Sequence, residues 1–415
     1  MPDSMGMVWF GFLFHRGGYG NALRNYLLGL KKIGFPVRAI SHGPEHRDDL
    51  GEDLVSQMQE LTRADVGRRA VGVVHYEPPI FERLSYRNIT RRIGYTVFET
   101  DRLPSTWVRP CNTMDEIWVP SRFNVETFSM SGVRPDKLRI IPHSVDTGFF
   151  RPIGETFPIP GRRGFVFLYV SVFDWRKGFD LLAEAYFNEF TSRDDTTLVL
   201  KVAADRPDRG DLKRLILDIF GEKVDLGNPG APHFVVMDEP ITMSGLRRLY
   251  NTCDLYISTE RANGWGMPCM EAMAMGKPAA AINWGGCTEF MTAENSALIN
   301  TTGRMVPVDP RLVREKPSYE GHLWADVSVD EVRRVMRTAY ENRDWLRRIA
   351  GKGREDVTGK FSLEVVAGKI AAAVAEQSPP TSVPFFGRPS INLKLRHRAT
   401  VNPIKLLLRK AKGRD

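Results

Sequence analysis

Strand-length hydrophobic runs alternate with helical periodicity at both ends of this 415-residue chain. That alternation restricts the fold to the α/β class, with parallel sheets covered by helices. The first unit reads as a strand over about 7–14, a turn at Gly17, Gly18 and Gly20, and a helix whose Leu23, Leu27 and Leu30 share a face. Gly34 stops that helix and a second strand follows near Val37–Ile40. Shorter strands are expected at Gly72–Val74, Ile93–Phe98 and Glu116–Val119, with a helix from Arg122 to Ser131. After a stretch dense in Pro and Gly the pattern restarts with a strand at Phe165–Val172, a turn bearing Arg176 and Lys177, and a helix from Gly178 to about Phe190. Further strands fit Leu198–Ala203, His233–Met237, Leu255–Ser258 and Ala279–Asn283.

A chain of this length exceeds one ordinary hydrophobic core, so two doubly wound, Rossmann-like domains in series are expected. The expected division is a first domain over 1–152, a linker over 153–164, and a second domain over 165–345. C-terminal helices over 346–376 are expected to pack back towards the first domain, and a tail covers 377–415.

The net charge of +8 is localised. Residues 385–415 hold nine Lys or Arg against one acid, which accounts for the whole excess and leaves the body neutral. Within the tail, Ile404, Leu407, Leu408 and Ala411 recur at helical spacing after Asn402-Pro403. A basic amphipathic segment of this kind suits an anionic membrane surface; docking of its leucines on the protein body is the competing reading. It lacks interleaved aromatics, so no nucleic-acid partner is expected. The four cysteines have no metal-ligand or disulfide-framework spacing, which fits a cytoplasmic setting. No run reaches the roughly 18 apolar residues of a membrane-spanning helix.

Three segments carry chemistry. Gly17 and Gly18 place small residues between a strand and a helix N-terminus, where free N–H groups and the helix dipole favour phosphate. Their spacing is not that of a dinucleotide fingerprint, and Ser41-His42 at the end of the second strand offers no ribose-binding acid, so a dehydrogenase is disfavoured. Arg176 and Lys177 sit at the carboxyl end of the second domain's first strand, where open α/β sheets bind ligands, and two cations there suit a diphosphate. In STERANGWGMPCMEAMAMGKP, Gly264 and Gly266 flank Trp265 in a loop exposing backbone amides, Pro268 suits a first helical turn, and Glu271 projects near the start of that helix.

The segments GWGMPCMEAMAMGKP, NWGGCTEF, DWRKGFDLL and VPSRFNVETFSMSGVRPDKLRIIPHSVDTGFFRP resemble the signature segments of glycosyltransferase family four. The resemblance spans most of residues 8–375. It implies the GT-B architecture, two Rossmann-like domains facing a central cleft, with the first on the acceptor side and the second holding a nucleotide sugar. It further implies that Gly17 and Gly18 approach the donor diphosphate, that Lys177 beside Arg176 pairs with it, that Glu271 holds the ribose, and that the Gly264–Gly266 amides face the sugar.

Three positions depart from the family pattern. Asn263 stands where the first Glu of an E-x7-E motif is usual, Ser171 where an Arg precedes the Lys, and Glu99 where a His often ends a first-domain strand. Asn263 can bond a sugar hydroxyl but cannot offer a full negative charge, and Glu260 lies three residues away as a substitute. Glu99 stays open between an acceptor-activating base, a sugar ligand and a surface acid.

The expected activity is transfer of a hexose from a nucleoside diphosphate sugar to a hydroxyl of a glycan or lipid-linked acceptor, with retention. Glu99, Asn263 and Lys177 are the catalytic candidates. Gly17, Gly18, Arg176, Lys177, Gly264, Trp265, Gly266 and Glu271 are the donor-binding ones. No metal and no further cofactor are expected, because no D-x-D motif is present. The alternative is a catalytically weak nucleotide- or sugar-binding scaffold of a polysaccharide assembly complex.

Overall fold

The computed structural model describes residues 5–376 apart from 44, 48–49, 68, 84–87 and 205–208. In the first half, β1 (Gly6–Gly11), α1 (Gly18–Lys32), β2 (Val37–Ser41), α2 (Glu52–Arg63), β3 (Ala70–His75), β4 (Ile89–Tyr95), α3 (Ser105–Thr113), β5 (Glu116–Val119), α4 (Arg122–Met130) and β6 (Leu138–Ile140) follow one another. Their strands form one all-parallel sheet in the order β2-β1-β3-β4-β5-β6.

The second half contains β7 (Phe165–Val172), α5 (Phe179–Glu189), β8 (Thr196–Ala203), α6 (Leu212–Gly221), β9 (His233–Met237), α7 (Met243–Thr252), β10 (Leu255–Ser258), α8 (Met267–Ala274), β11 (Ala279–Ile282) and β12 (Ala297–Ile299). Its parallel sheet runs β12-β11-β10-β7-β8-β9. The two sheets differ in winding. The second has the dinucleotide-fold order with its reversal between β7 and β10, whereas the first reverses between β1 and β3.

The central strands β1, β3, β8, β10 and β11 are buried on both faces, which is why they read as continuous apolar runs. In β1 successive side chains serve opposite layers: Met7 and Trp9 join a cluster with Leu23 and Leu27 of α1, while Val8 and Phe10 join one with Phe98 and Phe128. Each such side chain fully removed from water contributes about 1.5–3 kcal/mol.

An antiparallel hairpin, β13 (Met305–Pro307) and β14 (Leu323–Ala325), encloses α9 (Pro310–Glu315) and a 3₁₀ turn at Pro317–Tyr319. Nothing in the sequence periodicity marks this element. Its strands are three residues long, too short for an alternation to register. The helices α10 (Val329–Glu341), α11 (Arg343–Phe361) and α12 (Leu363–Ala375) close the described chain.

The expected C-terminal unit 346–376 is divided at Ser362. Up to Phe361, α11 packs on the second-domain core, while α12 places Val366, Ala367 and Ile370 in the first-domain core. The return is pinned by Val145 N–H donating to the Phe361 carbonyl at 3.0 Å. Gly29 of α1 is required here, because a Cβ would stand 2.4 Å from the Leu363 carbonyl oxygen. The stretch 153–164 is laid along α7, with Asn251 Nδ2 donating to the Ile153 and Glu155 carbonyls at 2.7 and 2.8 Å. The tail, residues 377–415, lies outside the described residues.

Candidate functional site

β7 ends at Val172, and the chain turns through a 3₁₀ turn at Trp175–Lys177 before α5. Asp174 caps that turn by accepting the Arg176 N–H at 3.1 Å. Gly178 (φ 65°) takes the left-handed conformation between turn and helix, and a Cβ there would meet the Thr259 carbonyl oxygen at 2.2 Å. Both cations therefore stand at the carboxyl edge of the sheet, beside the reversal between β7 and β10.

Lys177 Nζ lies 2.8 Å from Glu260 Oε1, whose side chain is only 4% exposed. Burial pushes the Lys177 ammonium down and Glu260 pulls it back up. Arg176 donates to the Ala262 carbonyl at 2.8 Å and faces Glu99 at 3.2 Å, Asp174 at 3.6 Å and Glu260 at 3.8 Å. Burial alone would lower its affinity for a proton, but Glu99 and Asp174 outweigh burial and hold it above its ordinary value. Asp174 is likewise desolvated, yet Arg176 and Lys316 bring its carboxyl down to about 2.

The Gly264–Gly266 loop leads into α8. Gly266 (φ 90°) caps the helix and Pro268 occupies its first turn. The Gly264, Trp265 and Gly266 amides donate to no described acceptor. Cys269 in the first turn of α8 lies within electrostatic reach of Lys177 and Glu260, so this helix N-terminus and the cationic turn share one neighbourhood. Gly264 touches the other domain, since a Cβ there would stand 2.3 Å from Val97 Cγ2. Glu271, one turn further in, is buried, and the Tyr250 hydroxyl donates to it at 2.7 Å. Burial raises its carboxyl from an ordinary 4.5 to about 7, a rise that Tyr250 only partly offsets.

Two candidates in this loop do not present side chains for a ligand. Trp265, a donor-binding candidate within the loop whose amides are expected to face the sugar, is a core residue 3% exposed. Its ring packs with Phe290, Phe361 and His143 at centroid distances of 5.1, 5.8 and 5.4 Å. Large apolar area wins over its one polar atom, and only its backbone remains for a ligand. Asn263, expected as a sugar-hydroxyl partner, is 4% exposed and accepts the Cys287 N–H at 3.0 Å, while its own carbonyl accepts the Gly286 N–H at 2.9 Å. Its carboxamide staples two loops. A short polar side chain before a glycine looks the same in sequence whether it points to a ligand or to a neighbouring loop.

On the first domain, α1 begins at Gly18 with Gly17 as its cap. The Gly17 N–H is taken by His15 Nδ1 at 2.9 Å, whereas the Cβ position of Gly18 is open to at least 4 Å. Gly20 is the glycine that packing demands, because a Cβ would lie 2.2 Å from the His15 carbonyl oxygen. Arg24, missed in the sequence, is buried beneath this loop and donates to the Leu13 and His15 carbonyls at 3.0 and 2.7 Å. Its place one turn into an apolar helix face was the available signal.

Glu99 lies beyond β4 and does not project freely. One oxygen meets Arg176, and the other accepts the Tyr319 hydroxyl at 2.9 Å. Its surface-acid reading is thereby corrected, since its side chain is 19% exposed and paired across the two domains. Ser171, where the family pattern has Arg, is buried and its hydroxyl finds no partner among the described residues.

Among the described residues, no group of three or more His, Cys, Asp or Glu is arranged to hold a metal ion. All four cysteines are free and buried. No described helix is long and apolar enough to cross a membrane.

Residues 164–313, which contain the cationic turn and the glycine loop, match the family model described as "Glycosyl transferases group 1". Over these residues the chain is similar to that glycosyltransferase family. A curated relative, D-inositol 3-phosphate glycosyltransferase of Acidothermus cellulolyticus, is 24% identical over 243 residues, 54% of this chain and 53% of that one. The chain thus spans about half the length of the curated relative it matches.

Among solved structures, HepE of Anabaena in complex with UDP and glucose aligns over 90% of this chain and 100% of that chain at 15% identity and TM-score 0.60. Sucrose-phosphate synthase of Thermosynechococcus elongatus aligns over 89% and 98% at 16% identity and TM-score 0.60. A glycosyltransferase of Rickettsia africae gives 90%, 100%, 14% and 0.60. These likenesses establish the fold, which is GT-B, with the matched residues 164–313 lying in its second half.

Proposed function

We propose that the chain transfers a hexose from a nucleoside diphosphate sugar to an acceptor hydroxyl, with retention of configuration and without a metal. The observation that carries this reading is the convergence of Arg176 and Lys177 with the amides of Gly264–Gly266, which have no acceptor among the described residues, at the N-terminus of α8. Such a site suits a diphosphate leaving group, whose developing charge meets two cations and a helix dipole in place of a divalent ion. In this reading Glu271, beside Tyr250 one turn into α8, is the carboxylate that accepts ribose hydroxyls, and the open Gly18 at the start of α1 supplies amides from the acceptor side. The UDP- and glucose-bound relative supports a nucleotide-sugar donor.

The test is a thermal-shift screen of UDP-, GDP- and ADP-sugars. A ligand at about 100 times its dissociation constant stabilises by roughly 2.7 kcal/mol. A flat response to all three classes overturns the reading.

One observation favours a second reading, that of a catalytically weak scaffold that binds donor or glycan. Asn263 is committed to Cys287, so neither a charge nor a free amide stands at that position. Product analysis with the donor that shifts the melting temperature separates the two, since binding without transfer or hydrolysis supports the scaffold. We further propose that residues 385–415 carry the protein to an anionic membrane surface, and with it to a lipid-linked acceptor.

A further inference from the structure

The diphosphate turn of the second domain is already charge-neutral. Arg176, Lys177 and Lys316 face Glu99, Asp174 and Glu260, three cations against three carboxylates. Glu77 lies close enough to feel both Glu99 and Lys316 and adds further negative potential. An arriving diphosphate therefore meets no net positive charge unless one carboxylate withdraws.

The three paired carboxylates are not equivalent. Asp174 caps the turn itself, and Glu260 sits beneath Lys177 at the end of β10, so both belong to the second domain. Glu99 reaches across from the first domain. Its two oxygens are shared between Arg176 Nη2 at 3.2 Å and the Tyr319 hydroxyl at 2.9 Å.

Tyr319 belongs to the hairpin insertion 305–325, which grips both sides of the cleft. Towards the first domain, Tyr319 stacks on Phe98 with centroids 5.1 Å apart, His322 Nδ1 lies 2.6 Å from Thr100 Oγ1, and the Leu323 N–H donates to Asp101 at 2.7 Å. Towards the second, Glu315 accepts Trp175 Nε1 at 3.0 Å and Lys316 pairs with Asp174. The insertion thus holds the turn that bears Arg176 and the carboxylate that occupies it.

We propose that Glu99, held by Tyr319, is an internal surrogate for the donor diphosphate, a gating residue that occupies Arg176 in the ligand-free protein and leaves it when an anionic ligand binds. Carboxylate and phosphate oxygens present the same acceptor geometry to a guanidinium fork, so they compete for it. The free energy needed to release Arg176 is subtracted from ligand affinity, as for any site whose competent state is the minor one. The inference rests on the diphosphate reading of Arg176 and Lys177.

The experiment uses the full chain and titrates inorganic pyrophosphate, ADP, GDP and UDP by calorimetry into the wild type, Glu99→Gln, Tyr319→Phe and Lys177→Ala. Glu99→Gln is expected to tighten pyrophosphate and the recognised nucleoside diphosphate by about tenfold, the scale of a typical coupling between two sites. Tyr319→Phe keeps the stack on Phe98 and should tighten binding in the same direction by less.

Unchanged or weaker binding in Glu99→Gln overturns the gate, including the case in which only its melting temperature falls. If Lys177→Ala weakens binding while Glu99→Gln does not tighten it, the gate alone fails. If no variant binds any probe, the diphosphate site fails with it.

Discussion

On the proposed reading, Lys177 serves the fold and the ligand at once. Its ammonium neutralises Glu260, so Lys177→Ala removes a diphosphate counter-charge and leaves a buried carboxylate with Arg176 at 3.8 Å as its nearest remaining cation. We expect a stability loss of about 2 kcal/mol by denaturant titration and a collapse of donor affinity. Adding Glu260→Gln should restore most of the stability and none of the affinity, which separates the two roles.

Glu271 makes a prediction of opposite kind. With its carboxyl raised from 4.5 to about 7, the folded chain keeps a proton that the unfolded chain releases. Its contribution to stability is therefore fully present below about pH 4.5 and is lost as the pH rises through 7. Ribose hydroxyls bond best to the ionised form, so nucleoside diphosphate affinity should rise by up to about tenfold from pH 6 to 8, a rise that Glu271→Gln flattens. A flat wild-type profile would remove Glu271 from the ribose.

At the scale of elements, close backbone approach sets the constraints. Gly29→Ala would drive a methyl into the Leu363 carbonyl, which as backbone cannot swing aside, so α1 and α12 must separate. We expect a loss of about 1–3 kcal/mol in chemical denaturation. A wild-type midpoint would show that α12 is not seated there.

The staple between loops 263–266 and 285–287 gives a second test. Asn263→Glu restores the residue type of the family pattern but puts a charge into a buried position and loses the bond to the Cys287 amide. It should lower the melting temperature and not raise turnover. Rescue of transfer would show that the loop opens in the working enzyme.

For the whole molecule, the return of α12 to the first domain makes the two halves meet at Ser362 as well as through the insertion 305–325, and Gly264 against Val97 completes the contact across the cleft. Residues 1–384 are neutral by composition and the charge excess resides in residues 385–415. Co-sedimentation with anionic vesicles at low salt should therefore retain the full chain and release one ending at Ser378, with each cation near the surface worth about 1 kcal/mol. Equal partitioning of the two would place the tail's leucines on the protein instead.

The sequence by itself determined the two α/β halves, because buried parallel strands must be apolar throughout and β7 and β10 therefore read at their observed limits. It also located the cationic turn and the glycine loop, since strand ends and positive-φ turns restrict residue type. The first sheet's different strand order, the division of the C-terminal helices and the three-residue strands were not legible, because pairing partners leave no periodic mark. Only the tertiary structure decided which way side chains turn. Trp265 goes to the core for its area, Asn263 to a neighbouring amide, and Glu99 to Arg176 of the other domain. Each choice depends on a partner more than 20 residues away, and local pattern carries no information about that distance.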